Sequence, residues 1–238
     1  MRPALRAFLF DLGGTLIRPR ADWPPIWDQA DRALVRVLAS QAWIADEAGF
    51  LTRWQAVRTR YYQQRKEDDR EYSYRHLLQE LLPQAPAWLI DQALAAFFSI
   101  TQPNWQAVEG AAEVLRSLQE RGFRLGLLSN AAEDSDVQHL VDRMEFRPFF
   151  DFVLTSAACG YRKPHPLPYQ LALQRWGFPP QEVAMVGDLL EVDILGAHRV
   201  GMFTIWIPHS MTEAAQPLSI RPDWILEHLA QLLEKLSA

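Results

Sequence analysis

The sequence predicts an α/β fold, a parallel sheet core with an all-helical domain inserted directly after its first strand. Three observations carry that prediction. Apolar runs of strand length, such as Ala7-Phe8-Leu9-Phe10 and Leu125-Gly126-Leu127-Leu128, end abruptly in polar residues. In the second half of the chain these runs alternate with helical periodicity, the pattern of a parallel sheet covered on both faces. Between residues 17 and 105 the alternation stops and only helical spacing is left. The expected domains are therefore a core of residues 1–16 and 106–238 and a helical cap of residues 17–105.

The first strand, from Leu5 to Phe10, runs into Asp11-Leu12-Gly13-Gly14-Thr15-Leu16. After Leu16, Pro19, Pro24 and Pro25 punctuate the chain and lead into a helix from about Ile26 to Ser40. Further helices are expected from Asp46 to Glu67, from Tyr74 to Leu82 and after Pro86, with no strand in the inserted segment. Gly110 to Leu118 is amphipathic and stops at Arg121-Gly122. Phe123 to Leu128 then reads as a strand, Asp134 to Met144 as a helix and Phe152 to Thr155 as a strand. A loop with Arg162-Lys163-Pro164 precedes a helix from Leu167 to Trp176. The strand Glu182 to Val186, a helix Ile194 to Val200, a strand Met202 to Ile207 and a helix Trp224 to Leu236 complete the order.

Composition narrows the function. The chain has 238 residues, 49% hydrophobic and 22% charged, ordinary for a soluble globular protein. A net charge of −5 gives no reason to expect nucleic acid. No window reaches the apolar length of a membrane span, and the apolar run before Asp11 is too short for a secretory signal. Cys159 stands alone, so no disulfide framework exists and a cytoplasmic location is expected. The protein is expected as a monomer or homodimer. Lysine occurs only at 66, 163 and 235, which makes a lysine at a strand end conspicuous.

Four polar clusters fall where parallel strands should end: Asp11, Ser129, Lys163, and Asp188 with Asp193. Ligands of open α/β sheets bind beyond the carboxyl ends of the strands, so these residues converge if their strands are neighbours. The set suits a phosphate and magnesium. Carboxylates with a backbone carbonyl suit a hard cation, and Ser129 and Lys163 suit phosphoryl oxygens. Asp11 would face the phosphorus as nucleophile and form an aspartyl-phosphate. The plainer readings are an Asp11 that ends a turn, a Ser129 that caps a helix, a solvated Lys163 and an Asp193 that favours a helix dipole. His165 and His198 read as surface residues.

Asp11-Leu12-Gly13-Gly14-Thr15-Leu16, Leu127-Leu128-Ser129-Asn130, Arg162-Lys163-Pro164-His165-Pro166 and Gly187-Asp188-Leu189-Leu190-Glu191-Val192-Asp193 occur in this order. They resemble the four motifs of the haloacid dehalogenase (HAD) superfamily of hydrolases, in the branch with a helical cap of the first type. The resemblance implies an HAD-like Rossmannoid core, Asp11 as nucleophile, and Ser129, Asn130 and Lys163 at the phosphate. It also implies magnesium held by Asp11, the Gly13 carbonyl, Asp188 and Asp193, and a small phosphorylated metabolite as substrate. Phosphatases of this superfamily usually carry a general acid–base aspartate two residues after the nucleophile; here Gly13 stands there. Such a loss costs on the order of 10²–10⁴-fold, so either the leaving group needs no proton, a cap residue supplies the acid, or turnover is lost and the protein binds without hydrolysis.

The competing readings are set by single features. A dehalogenase has no use for an acidic pair such as Asp188 and Asp193. A phosphonate hydrolase needs a cap lysine, and Lys66 is the only one. The phosphate loop of actin-like sugar kinases also resembles Asp11 to Thr15, but there it joins two strands of a hairpin. In the cap, Arg18, Arg20, Tyr72 and Arg75 are the candidates for contact with substrate.

Overall fold

The computed structural model describes residues 4–211 and 220–237, and the side chain of Lys66 lies outside that description. Its first strand, β1 (Ala7–Phe10), is fully buried on both faces. Because successive side chains alternate, Phe8 and Phe10 enter one apolar cluster and Ala7 and Leu9 the other. That double burial is why β1 reads as an unbroken apolar run and why it lies in the interior of the sheet.

A short strand β2 (Ile17–Pro19) follows, then helices α1 (Trp23–Ser40), α2 (Glu47–Asp68), α3 (Tyr74–Leu81) and α4 (Ala87–Thr101). Next come β3 (Trp105–Ala107), α5 (Ala111–Glu120), β4 (Arg124–Ser129), α6 (Asp134–Arg143), β5 (Phe152–Thr155), the one-turn α7 (Ser156–Cys159) and α8 (Pro166–Trp176). The chain continues through β6 (Val183–Gly187), a π-helical turn (Leu190–Ile194), α9 (Leu195–Arg199), β7 (Phe203–Trp206), β8 (Trp224–Ile225) and α10 (Gln231–Ser237). The main sheet is six-stranded in the order β5-β4-β1-β6-β7-β8, and every pairing in it is parallel. β1 pairs with β4 on one side and β6 on the other, so strand order reverses beside it and a crevice opens above its carboxyl end.

Helices α5 and α6 cover the Phe8–Phe10 face, and α8 and α9 cover the other. Helices α1 to α4 pack around a cluster of their own that includes Ala30, Leu34, Trp54, Leu78, Ile90 and Phe97. Local chemistry sets several of their ends: Asp46 caps α2 through Gly49 N at 2.9 Å, and Ser73 caps α3 through His76 N at 3.2 Å. Asp31, at the centre of the bundle, is fully buried and accepts from Trp54 Nε1 (2.8 Å), Gln55 Nε2 (3.3 Å) and Arg58 Nη2 (2.8 Å).

Two expectations are corrected, and one expected helix is found with an irregular turn before it. The inserted segment is not purely helical at its margins: β2 and β3 pair antiparallel, Ile17 opposite Ala107 and Pro19 opposite Trp105. Strands of three residues, one containing proline, carry no alternation to read, and their pairing joins distant parts of the chain. The expected helix from Trp224 begins as strand β8, held beside β7 where Asp223 accepts from both Thr204 N and Thr204 Oγ1 at 2.8 Å. Helix α9 is preceded by a π turn that carries Asp193, and Tyr169 donates to the carbonyls of Val192 and Asp193 at 2.8 and 3.1 Å.

Candidate active site

The carboxyl ends of β1, β4 and β6 bring four of the expected residues together. Asp11 directly follows β1, and its N–H extends the ladder to the Val186 carbonyl at 2.9 Å. Lys163 enters from the loop after α7. Its ammonium donates to Asp11 Oδ1 at 2.6 Å and to the Leu128 carbonyl at 2.8 Å, and lies 2.6 Å from Asp193 Oδ1. Asp188 follows β6, accepts from Thr15 Oγ1 at 3.4 Å and lies 3.4 Å from His209 Nε2. Asp193 takes the N–H of Leu189 on its other oxygen at 3.0 Å. Gly14 has φ +99° and its α-carbon backs onto the Asp188 carboxylate, so a side chain there would collide with it. Glycine at 14 is thus required by both conformation and space.

Each of the three carboxylates offers an oxygen within 4.8 Å of the others, and all three residues are buried. Burial, opposed by the Lys163 charge but reinforced by Asp193 and Asp188, raises the Asp11 pKa to about 7. Burial and then the Asp193 charge raise Asp188 to about 7 as well. For Lys163, burial pulls downward, yet Asp11 and Asp193 outweigh it and hold the ammonium above its ordinary value. One cation thus serves three acids. Asp11 Oδ2 is buried without a hydrogen-bond partner, and Asp193 Oδ1 faces the ammonium without a well-directed hydrogen bond. A buried oxygen left unpaired costs ~1–3 kcal/mol, and an all-oxygen set of this charge is the donor chemistry of magnesium. The residues fit the cation that the sequence implies.

The other expected residues are placed as follows. Ser129 closes β4 and lines the cleft; it does not cap α6, whose N-cap is Glu133. Asn130 also lines the cleft, but its amide is committed to the main chain of Lys163. It donates to the Lys163 carbonyl (3.0 Å) and accepts from the Lys163 N–H (2.8 Å). Asn130 therefore fixes the loop that presents the lysine. Gly13 lines the cleft too.

The four cap candidates are not brought to the cleft. Arg18 and Arg20 are exposed on and just after β2, a strand of which only Ile17 is buried. Tyr72 stacks on His76 at 5.2 Å and lines a separate hollow of about 490 Å³ between α2 and α3. Arg75 pairs with Asp91, while its N–H donates to Glu133 Oε1 at 2.6 Å. His165 is an α8 cap, its Nδ1 accepting from Leu167 N at 3.2 Å.

The cleft is about 880 Å³, and its cap side is built from residues that no motif marks. Trp23, Trp27 and Trp105 form a ring cluster, with Trp23 5.6 Å from Trp27 and 4.9 Å from Trp105. Arg65 lies over the Tyr62 ring at 4.1 Å, and burial with the nearby Arg162 charge lowers its pKa to about 10. Arg162 in turn donates to Glu71 Oε2 at 3.1 Å and Tyr61 OH at 3.3 Å, and Ser156 Oγ reaches the same Glu71 oxygen at 2.6 Å. This network joins the loop before α3 to the loop that carries Lys163. The sequence signal for Arg162 was its place beside Lys163; Trp105 and Arg65 had none beyond residue type.

Comparison with known proteins accords with this geometry. Relatives named glyceraldehyde 3-phosphate phosphatase include one from Pyrococcus abyssi, 34% identical over 58% of this chain and 58% of its own length. The one from Pyrococcus furiosus is 31% identical over 69% of both chains. The match to the first thus spans less than two thirds of that relative. Among solved structures, the 2-haloacid dehalogenase of Pseudomonas syringae pv. Tomato DC3000 superposes with a TM-score of 0.71 at 25% identity, over 98% of both chains. Residues 5–201 match the family profile of the haloacid dehalogenase-like hydrolases. Helices on both faces of a parallel sheet, the four motifs in order and this match make one statement: the chain belongs to the haloacid dehalogenase-like hydrolases.

Proposed function

We propose that the protein is a magnesium-dependent phosphohydrolase that turns over a small phosphorylated molecule through an aspartyl-phosphate at Asp11. In this reading residues 17–105 are a cap over a core of residues 1–16 and 106–238. The observation that carries it is the buried trio Asp11, Asp188 and Asp193 with one lysine and an unpartnered Asp11 oxygen. Likeness to proteins named phosphatases supports the substrate class.

Asp11 would attack the phosphorus with one carboxylate oxygen, the other facing Lys163 and the metal. Lys163 opposes the protonation that burial favours at Asp11 and aims the carboxylate, and Ser129 with the Lys163 ammonium offers donors to the phosphoryl oxygens. Asn130 fixes Lys163 through its main chain. Asp11, Asp188, Asp193 and the Gly13 carbonyl would hold magnesium, which when bound supplies positive charge to the phosphoryl oxygens. The same scaffold also displaces halide in the dehalogenase likeness, but three converging carboxylates burden that reaction and serve this one.

The test is phosphate release from acyl, aryl and alkyl phosphates with and without magnesium, with Asp11→Asn as control. Magnesium-dependent release abolished in Asp11→Asn supports the reading. Release at the Asp11→Asn level on every class, or halide release from haloacids instead, removes it.

A further inference from the structure

Position 13 holds no side chain where the catalytic loop meets the cleft, and a ring stands in the space. A Cβ on Gly13 would lie 3.3 Å from Trp105 Cη2, tighter than an ordinary contact. Gly13 is not among the glycines with positive φ, so the indole and not the backbone disfavours a side chain there. Trp105 opens β3 and is held over the loop by its pairing with Pro19. Trp23 packs on Trp105, and Trp27 stacks on Trp23 with 15° between the ring planes. All three rings line the cleft that holds Asp11 and Lys163. Trp27 is 39% exposed, and Trp23 and Trp105 are half-buried, so this cluster is not sealed core.

Resting on the phosphohydrolase reading above, we propose that Trp105, Trp23 and Trp27 form the leaving-group subsite and that the substrate is a phosphate monoester of a planar aromatic hydroxyl. A phenolic oxygen loses its proton at about pH 10, as tyrosine does, whereas water, like an alkyl hydroxyl, holds its proton to far higher pH. An aryl oxide therefore leaves as an anion without the proton donor that position 13 lacks. Asp11 bonds to phosphorus, the phosphorus–aryl oxygen bond breaks, and its electron pair stays on the aryl oxide, which takes a proton from solvent. Water then adds to phosphorus, and the bond to Asp11 breaks with its pair returning to the carboxylate. The surplus proton passes to the released phosphate or solvent. Carboxylate is itself a weakly basic leaving group, pKa ~4, so this second step also proceeds without a strong general acid.

The experiment is steady-state kinetics of the full chain with magnesium on naphthyl, acetyl and glycerol phosphates, for wild type, Trp105→Leu and Trp27→Ala. Wild type should favour naphthyl over glycerol phosphate by at least about 100-fold in kcat/KM, the scale of an absent general acid. Trp105→Leu should raise KM for naphthyl phosphate about 3- to 10-fold, the scale of a ring contact, and by more than it raises KM for acetyl phosphate, which has no ring. Trp27→Ala, at an exposed position, should repeat that selective shift and guards against a Trp105 variant that fails to fold. Adding Gly13→Asp to Trp105→Leu should raise glycerol phosphate turnover more than Gly13→Asp alone. Equal kcat/KM for naphthyl and glycerol phosphates, turnover confined to acetyl phosphate, or tryptophan variants that depress ringless and aromatic substrates alike would overturn the subsite while the hydrolase stands. Absence of any magnesium-dependent release that needs Asp11 would remove both.

Discussion

The two walls of the cleft are made differently. On the sheet side, Lys163 is held by two carboxylates and a carbonyl, its loop is clamped by Asn130, and Asp188 is backed by Gly14 and Thr15. On the cap side the lining is rings and cations: Trp23, Trp27, Trp105, Tyr62 and Arg65, and Arg65 has no carboxylate partner among the described residues. The first wall fixes charges at set distances, which is what a bond-making step requires. The second offers shape and polarisable surface, which is what selects a substrate. In the proposed function, one wall sets the reaction and the other its scope.

The comparison can be broken in order of expected effect. Asp11→Asn should lower turnover by at least about 10⁴-fold, the scale of losing a nucleophile. Lys163→Met should cost on the order of 10²–10³-fold through lost charge stabilisation, and lower the magnesium concentration needed, because the acids lose the ammonium that competes with the metal; titration of activity with magnesium checks both. On the cap side, Asp31→Ala leaves Arg58 and Trp54 Nε1 unpaired in the bundle. It should cost ~3 kcal/mol of stability, as for a broken buried pair, read by denaturant melts, with kcat of the folded fraction unchanged. A fall in kcat equal to that of Lys163→Met would erase the division between the walls.

Glu71, in the network that ties the loop before α3 to the Lys163 loop, is raised by burial to about 7 against the opposing Arg162 charge and the Ser156 hydrogen bond. A carboxyl with its folded pKa raised binds more protons when folded than when unfolded. Its contribution is therefore full below the unfolded value of 4.5 and is lost as pH rises to about 7, by up to roughly 1.4 kcal/mol per pH unit. Asp11, Asp188 and Asp136 are also raised in this range, so the readout is the difference between wild type and Glu71→Gln, which should flatten the fall. The smallest effect is expected at the exposed Arg6–Glu182 pair, 3.1 Å apart. Glu182→Gln should change stability by less than about 1 kcal/mol, and its melt sets the scale for the others.

These walls were also unequally legible in the sequence. Ala7 to Phe10 is buried on both faces, so its unbroken apolar run announced an interior parallel strand, and Asp11 marked its end. Asp188 was visible because a charged residue at a strand end is rare without a task, and Lys163 because lysine is rare in this chain. The cap side carried no such mark. Trp105 is marked only by its position over Gly13, and that position depends on a β2–β3 pairing of three residues a side between distant segments. Arg75 and Tyr72 had the right residue types in the right segment, yet Asp91, Glu133 and His76 engage them elsewhere. Asn130 stood in the right motif, but only its hydrogen bonds reveal that it serves the Lys163 main chain.

The central claim is that Asp11 carries the phosphoryl group. The most direct measurement is acid quenching of the enzyme during turnover of an aryl phosphate, followed by mass analysis of the peptide that contains Asp11. The account predicts one phosphoryl group on Asp11 in the wild type with magnesium and none in Asp11→Asn. Phosphate release with the Asp11 peptide unmodified, or with the phosphoryl group on another residue, would contradict it.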